Sequence, residues 1–268
     1  MILIMIKHKL IMEFKQVSGR TILTRNFQTG AVRILKPFYI DNSLITQIIT
    51  IGAGVHAGDE LEIEINVGRN CHVILLNQSA TKILKSECNE ISMQFYKIFI
   101  DDNAILEYYP GINIPFEGSR FLQKINVYLS SSANFGFFEM WSMGRIERGE
   151  CLSFNHINNN LKIFKQSIPI YIENFSINNY SAKRIGVIER FKYMISGVWT
   201  FLNLRENIEE NEDFILIYGT NLTGLAFIKG LSDKSSFFIK RVIDLIDLWR
   251  SEKYLPSIPW YTISSAFL

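Results

Sequence analysis

The sequence predicts a mainly β protein, built of stacked antiparallel or solenoid-like β layers and closed by a C-terminal amphipathic α-helix. Three observations carry that prediction. Ile, Phe, Tyr and Val come in short alternating runs broken by Asn, Asp, Ser and Gly clusters, which is how strands and turns are written. A strand, turn, strand unit recurs three times. Near the C-terminus the apolar spacing changes from two residues to three and four, the helical period.

Taken in order, the chain opens on Met1-Ile-Leu-Ile-Met-Ile6. This stretch is apolar but too short for a signal sequence, with no basic residues before it and no small-residue cleavage site after it. Met5 and Met12 offer alternative starts. We expect one unit over 1–268, with a β body over about 13–231, a helix over about 235–251 and an extended tail over 256–268. Gly52-Ala-Gly-Val-His-Ala-Gly58-Asp59 lacks the G-K-[ST] ending of a P-loop and runs into a strand, so it reads as a tight connection with positive φ at its glycines and Asp59 fixing the turn. Glu60-Leu-Glu-Ile-Glu-Ile-Asn-Val67 alternates without a break. It predicts a half-buried antiparallel strand whose glutamates face water.

Three turn regions align. Ile65 to Leu76, Phe99 to Tyr108 and Val127 to Phe137 each read as apolar strand, polar turn, small residue, apolar strand, with Cys71, Ala104 and Ala133 as the equivalent small residues. Near-periodic units of this kind predict stacked layers that bury one another's apolar faces. Each unit runs into a polar segment: Gln78-Ser-Ala-Thr-Lys82, then Pro110 to Arg120, then Met143 to Glu150. Stacking places these three segments near one edge, the candidate functional surface. Further strands are expected at 151–157, 161–165, 168–177, 214–219 and 224–230. Residues 186–202 are ambiguous, and 205–213 reads as an acidic turn or short helix. Phe238, Val242, Leu245, Ile246 and Trp249 form the apolar stripe of a helix capped by Asp233 or Ser235. Pro259, Trp260 and Tyr261 predict a tail docked on the body.

Composition narrows the function. A chain of 268 residues, 48% hydrophobic and 13% aromatic, buries a sizeable core. Its 28 basic and 26 acidic residues are interleaved, which argues against a nucleic-acid groove or a polybasic membrane patch. Three scattered cysteines, Cys71, Cys88 and Cys151, argue against a disulfide framework and for a reducing, cytoplasmic setting. No apolar run reaches the roughly 20 residues of a membrane span. The four histidines sit in no catalytic motif, and no G-x-S-x-G occurs. Cys71 and His72 point to opposite faces of a strand and make a poor chelating pair. Asp101 and Asp102, before Asn103, read as turn chemistry, and the Glu60, Glu62 and Glu64 row as a solvated face. The expected role is therefore binding other proteins, without catalysis.

Gly52 to Glu60, Gln78 to Lys82, Leu106-Glu-Tyr108 running to Ile114-Pro-Phe116, and Gly144-Arg145 with Gly149-Glu150 together resemble the urease accessory protein family UreD, also called UreH. Lys36-Pro-Phe-Tyr39 and Ile172-Glu173-Asn174 add to the likeness, which covers roughly 20–180 in matching order. The family's paired glycines are interrupted here by Ala53 and by His56-Ala57, and little matches beyond 180. The resemblance implies a β-rich scaffold for nickel insertion. Such a scaffold binds apo-urease subunits and a UreF-like helical protein, reaches a UreG-like GTPase through that protein, and passes nickel along an internal tunnel; a homodimer within the complex is also expected. No tightly bound cofactor is implied, only transient nickel, for instance at Asp59 and Glu117. As tunnel lining we expect Asp59, Glu107, Glu117 and Glu150, with Glu60 beside them. Lys82, Arg120 and Arg145 are expected to pair with these acids or anchor partners. The alternative is a β-sandwich carbohydrate- or ligand-binding module exposing Tyr108, Tyr109 and Trp141 on one face. A carboxylate hydrolase is a third reading.

Overall fold

The structure, a computed structural model, describes residues 6–184, 187–188 and 190–260. Its strands are β1 (Lys7–Val17), β2 (Arg20–Thr29), β3 (Val32–Ile34), β4 (Phe38–Ile40), β5 (Ser43–Thr50), β6 (Glu60–Val67), β7 (His72–Asn77), β8 (Thr81–Ile83) and β9 (Ser92–Ile100). There follow β10 (Ile105–Pro115), β11 (Arg120–Leu129), β12 (Asn134–Ser142), β13 (His156–Lys165), β14 (Ile168–Ile177), β15 (Tyr193–Trp199), β16 (Asn207–Glu210), β17 (Phe214–Thr220) and β18 (Ala226–Ser232). Among the described residues, one turn of 3-10 helix spans Ile146–Arg148, and one α-helix, α1 (Ser235–Ser251), comes last.

Two sheets face each other. The first runs β14-β13-β11-β9-β6-β1-β2, and the second runs β16-β17-β18-β15-β12-β10-β7-β5-β3 with β4 on β5 and β8 on β10. The predicted repeat is the reason. Each unit sends one strand into the first sheet, turns, and sends the next into the second: β6 to β7, β9 to β10, β11 to β12. The turns are built alike, with Cys71 N–H donating to Gly68 O, Ala104 to Asp101 O and Ala133 to Ser130 O at 3.2–3.3 Å. Asn70 and Asn103 adopt positive φ in the first two, a conformation asparagine tolerates well. Cys71, Ala104 and Ala133 stack as equivalent positions of successive coils. Ile105 N–H donates to Cys71 O at 2.8 Å and Asn134 N–H to Ala104 O at 2.9 Å, and all three small side chains are buried.

The coiling corrects one expectation. Leu61, Ile63, Ile65 and Val67 are buried as predicted, but β6 pairs in parallel with both β1 and β9. Parallel pairing continues through β9, β11 and β13 in the first sheet and β5, β7, β10 and β12 in the second. Alternation reports a half-buried face and is blind to strand direction. Successive coils re-enter each sheet heading the same way, so the outer face of the first sheet stays wet although its strands are parallel. Antiparallel pairing is confined to β1–β2, β13–β14, β12–β15 and the pairs among β15 to β18 and to the short pairs β3–β5 and β4–β5.

The second sheet is covered on both faces, which is why β7 and β12 read as nearly continuous apolar runs. Between the sheets lie Ile65, Val73, Ile98, Leu106, Val127 and Phe135. Outside, α1 packs Phe238, Val242, Leu245, Ile246 and Trp249 onto Trp199, Phe214 and Tyr218, each side chain contributing about 1.5–3 kcal/mol by leaving water. The helix cap falls on Lys234, with no side-chain cap, instead of on Asp233 or Ser235. Ser232 does the local bonding, accepting from Lys234 N–H at 3.1 Å. Strand β14 matches its prediction; 151–155 is a loop, and the stretches 186–202 and 205–213 contribute β15 and β16. The tail docks as expected through Ile258 and Trp260; residues 261–268 lie outside the described part. No described helix is long and apolar enough to cross a membrane.

Candidate functional site

The three polar segments do meet. Strand β8 pairs with Asn113, Ile114 and Pro115 of β10, Phe116 N–H donates to Ile83 O at 2.9 Å, and Glu117 N–H donates to Glu150 Oε2 at 3.3 Å. Arg145 forks onto the Glu150 carboxylate and lies 4.3 Å from the Phe116 ring centroid. Glu150 is held below the usual carboxylate range, first by the hydrogen bond from Arg145. Between these segments and the first turn of α1 is a cleft of about 640 Å³, lined by Ile112, Ile114 and Phe116 with Lys82, Arg145 and Arg148 among its charged groups. Two glycines shape it. Gly54 and Gly144 hold φ of +147° and +138°, and a Cβ there would meet Lys82 O at 2.4 Å and Glu150 O at 2.5 Å.

The other predicted residues sit elsewhere. Asp59 closes the glycine turn by accepting His56 N–H at 3.0 Å, as read from the sequence, and lies 3.4 Å from His8 Nε2. Glu60 pairs with Lys7 at 3.5 Å on the wet face. Arg120 opens β11 and forms no salt bridge among the described residues. Asp59 and Glu117, the suggested nickel contacts, thus belong to separate hydrogen-bonded groups, and no group of three or more His, Cys, Asp or Glu is placed to hold a metal among the described residues.

Glu107 is wholly buried in β10. Arg250 reaches it from α1, His72 Nε2 approaches to 2.8 Å and Tyr109 donates to it at 2.8 Å. Burial pushes this carboxyl up, but Arg250 and His72 overcome that and hold it well below the usual range. His72 Nδ1 in turn lies 2.8 Å from Ser43 Oγ. The resulting Ser, His, Glu chain is not laid out as a hydrolase: Ser43 is 2% exposed and the acid is taken by a guanidinium. Tyr108, Tyr109 and Trp141, offered as an exposed sugar platform, are all buried in strands, which removes the basis of the binding-module reading.

A second polar group lies between the sheets and was missed. Glu139 of β12 is 1% exposed. It accepts from Gln123 at 2.8 Å, Asn113 at 3.3 Å and Asn159 at 2.6 Å, one residue from each of β11, β10 and β13. Burial raises its carboxyl to about 7. On one side its charge acts through space on Tyr96 and Tyr108, whose hydroxyls are 3.3 Å apart. On the other, Ser196 stands opposite Glu139 in the sheet and donates to Glu173 Oε2 at 2.6 Å. Glu173 also accepts from Tyr171 at 2.8 Å and pairs with Lys229. Lys229 is 39% exposed, and it lines, with Glu173, an opening of about 290 Å³. A polar seam therefore runs through the core from the Tyr96–Tyr108 pair to the surface. Its one signal in the sequence was a lone carboxylate inside the apolar run Phe135-Gly-Phe-Phe-Glu-Met-Trp141.

Comparison with known proteins bears on what this arrangement serves. The family model for the UreD urease accessory protein matches residues 7–259, so the likeness extends well past 180. Urease accessory protein UreD 1 of Synechococcus sp. (strain JA-3-3Ab) is 32% identical over 260 residues, 96% of this chain and 97% of that protein. UreD of Deinococcus radiodurans is 31% identical over 193 residues, 71% of this chain and 69% of that one. UreH of Helicobacter pylori (strain G27) is 28% identical over 207 residues, 72% and 76% of the two chains.

Proposed function

The chain belongs to the UreD family of urease accessory proteins and so has a role in urease maturation; from that premise we propose that it is the scaffold joining apo-urease to the nickel-delivery machinery, and that nickel crosses it along the seam centred on Glu139. The direct partners in this reading are the urease subunits and a UreF-like helical protein, with a UreG-like GTPase engaged through the latter. No turnover of its own is required. Nickel is the cargo and Glu139 the waypoint.

The observation that supports the reading is the company Glu139 keeps. A dication entering a protein must exchange water for oxygen ligands, and it must leave again, so a transit site calls for scattered carboxylates and amides without a closed set of strong ligands. Asn113, Gln123 and Asn159 supply amide oxygens once their amides turn, and the carboxyl of Glu139, titrating at about 7, gives up its proton as a cation arrives. Tyrosine hydroxyls on one side and Glu173 on the other extend the path. Its mouth is guarded by Lys229, whose pairing with Glu173 must open for a cation to pass.

Co-expression with the host's urease subunits and UreF-like protein tests this reading, comparing the wild-type chain with Glu139→Gln. The variant keeps the size and hydrogen-bonding reach of the side chain, so the complex should co-purify at wild-type yield. Nickel per urease should fall about tenfold, the scale on which losing a supporting polar group weakens metal handling. Wild-type nickel loading in the variant would remove the seam from the path, and failure of the wild-type chain to co-purify with either partner would remove the scaffold.

A further inference from the structure

The cleft of about 640 Å³ falls within the roughly 300–1,000 Å³ of pockets that enclose a ligand, yet its walls do not suit a small polar molecule. Its floor is the outward side of β10. Asn113 points inward to Glu139, so Ile112 and Ile114 point out, and Phe116, Leu84, Ile146 and Ile239 line the cleft with them. These side chains are only partly covered, apart from Ile239.

The charged groups on the lining are Lys82, Arg145, Arg148 and Glu147, three cations against one carboxylate. Arg145 is committed to Glu150 and stacks on Phe116, which fixes it as part of the wall. Lys82, in β8, and Arg148, in the turn that follows β12, are exposed and form no salt bridge among the described residues, although the charge of Arg148 also acts on Glu150 through space. An apolar floor between exposed cations that form no salt bridge is complementary to a segment with the opposite arrangement. Desolvation of the floor supplies the affinity and the cations select the partner's charge.

We propose that this cleft docks an acidic amphipathic segment of a partner protein, one that lays apolar side chains on Ile112, Ile114 and Phe116 and sets carboxylates against Lys82 and Arg148. The proposal rests on the scaffold reading and names the chemistry of one of its contacts. It also gives the glycines at 54 and 144 a purpose: they let the backbones carrying Lys82 and Arg145 close in tightly enough to wall a groove. Because β10 has the cleft on one side and the Glu139 seam on the other, a segment docked there sits one strand away from the path.

The test uses the purified full-length chain and two labelled synthetic helical peptides about four turns long, with the same Leu and Phe face and either Glu or Lys on the polar face. In fluorescence anisotropy the Glu peptide should bind about tenfold or more tighter than the Lys peptide, the scale of charge complementarity across an interface. Lys82→Glu combined with Arg148→Glu, both at exposed positions, should reverse the preference, and Ile114→Asp should abolish binding of both peptides. Equal binding of the two peptides, or a preference untouched by the double variant, would overturn the proposal. Complementation separates the two layers. In a host lacking this gene, wild-type restoring urease activity while the double variant restores a tenth or less supports the cleft. Equal restoration by both overturns the cleft and leaves the scaffold standing, whereas no restoration by wild type overturns the scaffold reading and the cleft with it.

Discussion

Glu107 in β10 and Arg250 in α1 stand 143 residues apart in the chain and form a salt bridge with both side chains fully buried. Arg250 also donates to Pro256 O at 2.7 Å, so the pair pins the helix and the start of the tail to the coiled body at one point. Removing one partner of such a pair strands the other's charge in the core, costing about 3–5 kcal/mol. Arg250→Met should lower unfolding free energy by that amount in denaturant titration, and adding Glu107→Gln should return part of it. Additive losses would show that the two side chains do not act as a pair.

Glu139 makes stability depend on pH in a window of its own. Its carboxyl titrates near 4.5 when unfolded and about 7 when folded, so folding favours the protonated form. The sign follows: its contribution is fully present below 4.5 and is lost as pH rises to 7, a change of about 3 kcal/mol by the usual conversion of pKa shifts into free energy. Glu107 and Glu173, both shifted downward, act in the opposite sense and at lower pH. Relative to wild type, Glu139→Gln should therefore gain stability between pH 5 and 7.5, read by urea unfolding across that range. A difference independent of pH would show Glu139 ionised throughout.

Gly54→Ala should cost about 1–3 kcal/mol, the scale for a residue held in a sparsely populated backbone region. The added methyl meets the Lys82 carbonyl, which accepts the Val55 N–H at 2.8 Å. Thermal melting reads the loss, and an unchanged midpoint would mean the turn rearranges freely.

Trp260 lies 5.0 Å from the Tyr109 ring centroid and donates to Asp247 at 3.1 Å. Trp260→Ala should cost about 3 kcal/mol, at the lower end for a buried tryptophan. A loss under about half that would mean that the tail contributes little to the fold.

Much of this architecture was legible from pattern. The period of two in β6, the three aligned small residues and the period of helix α1 all report burial, and burial is what side chains encode locally. Strand direction is not encoded that way, so parallel pairing in β6 went unread. Local preference favours Asp233 or Ser235 over Lys234 at a helix N-cap, yet the cap falls on Lys234, because Ser232, which no local rule singles out, bonds the turn from the preceding strand. At the cleft, the meeting of the segments that carry Lys82, Arg145 and Glu150 was legible because stacked repeats bring them to one edge, whereas what those side chains do there is not written in the pattern. Glu139 and Arg250 were not legible, since a charge becomes informative only when its burial is known, and their partners lie on other strands or more than a hundred residues away.

The central claim is that urease receives its nickel through this chain. The most direct measurement is nickel content, together with activity, of urease purified from cells carrying the urease genes and the other accessory genes, with and without this one, at equal nickel supply. The account predicts nickel near full occupancy when the chain is present and an assembled, nickel-poor, inactive urease when it is absent. Equal nickel content in the two preparations would contradict it.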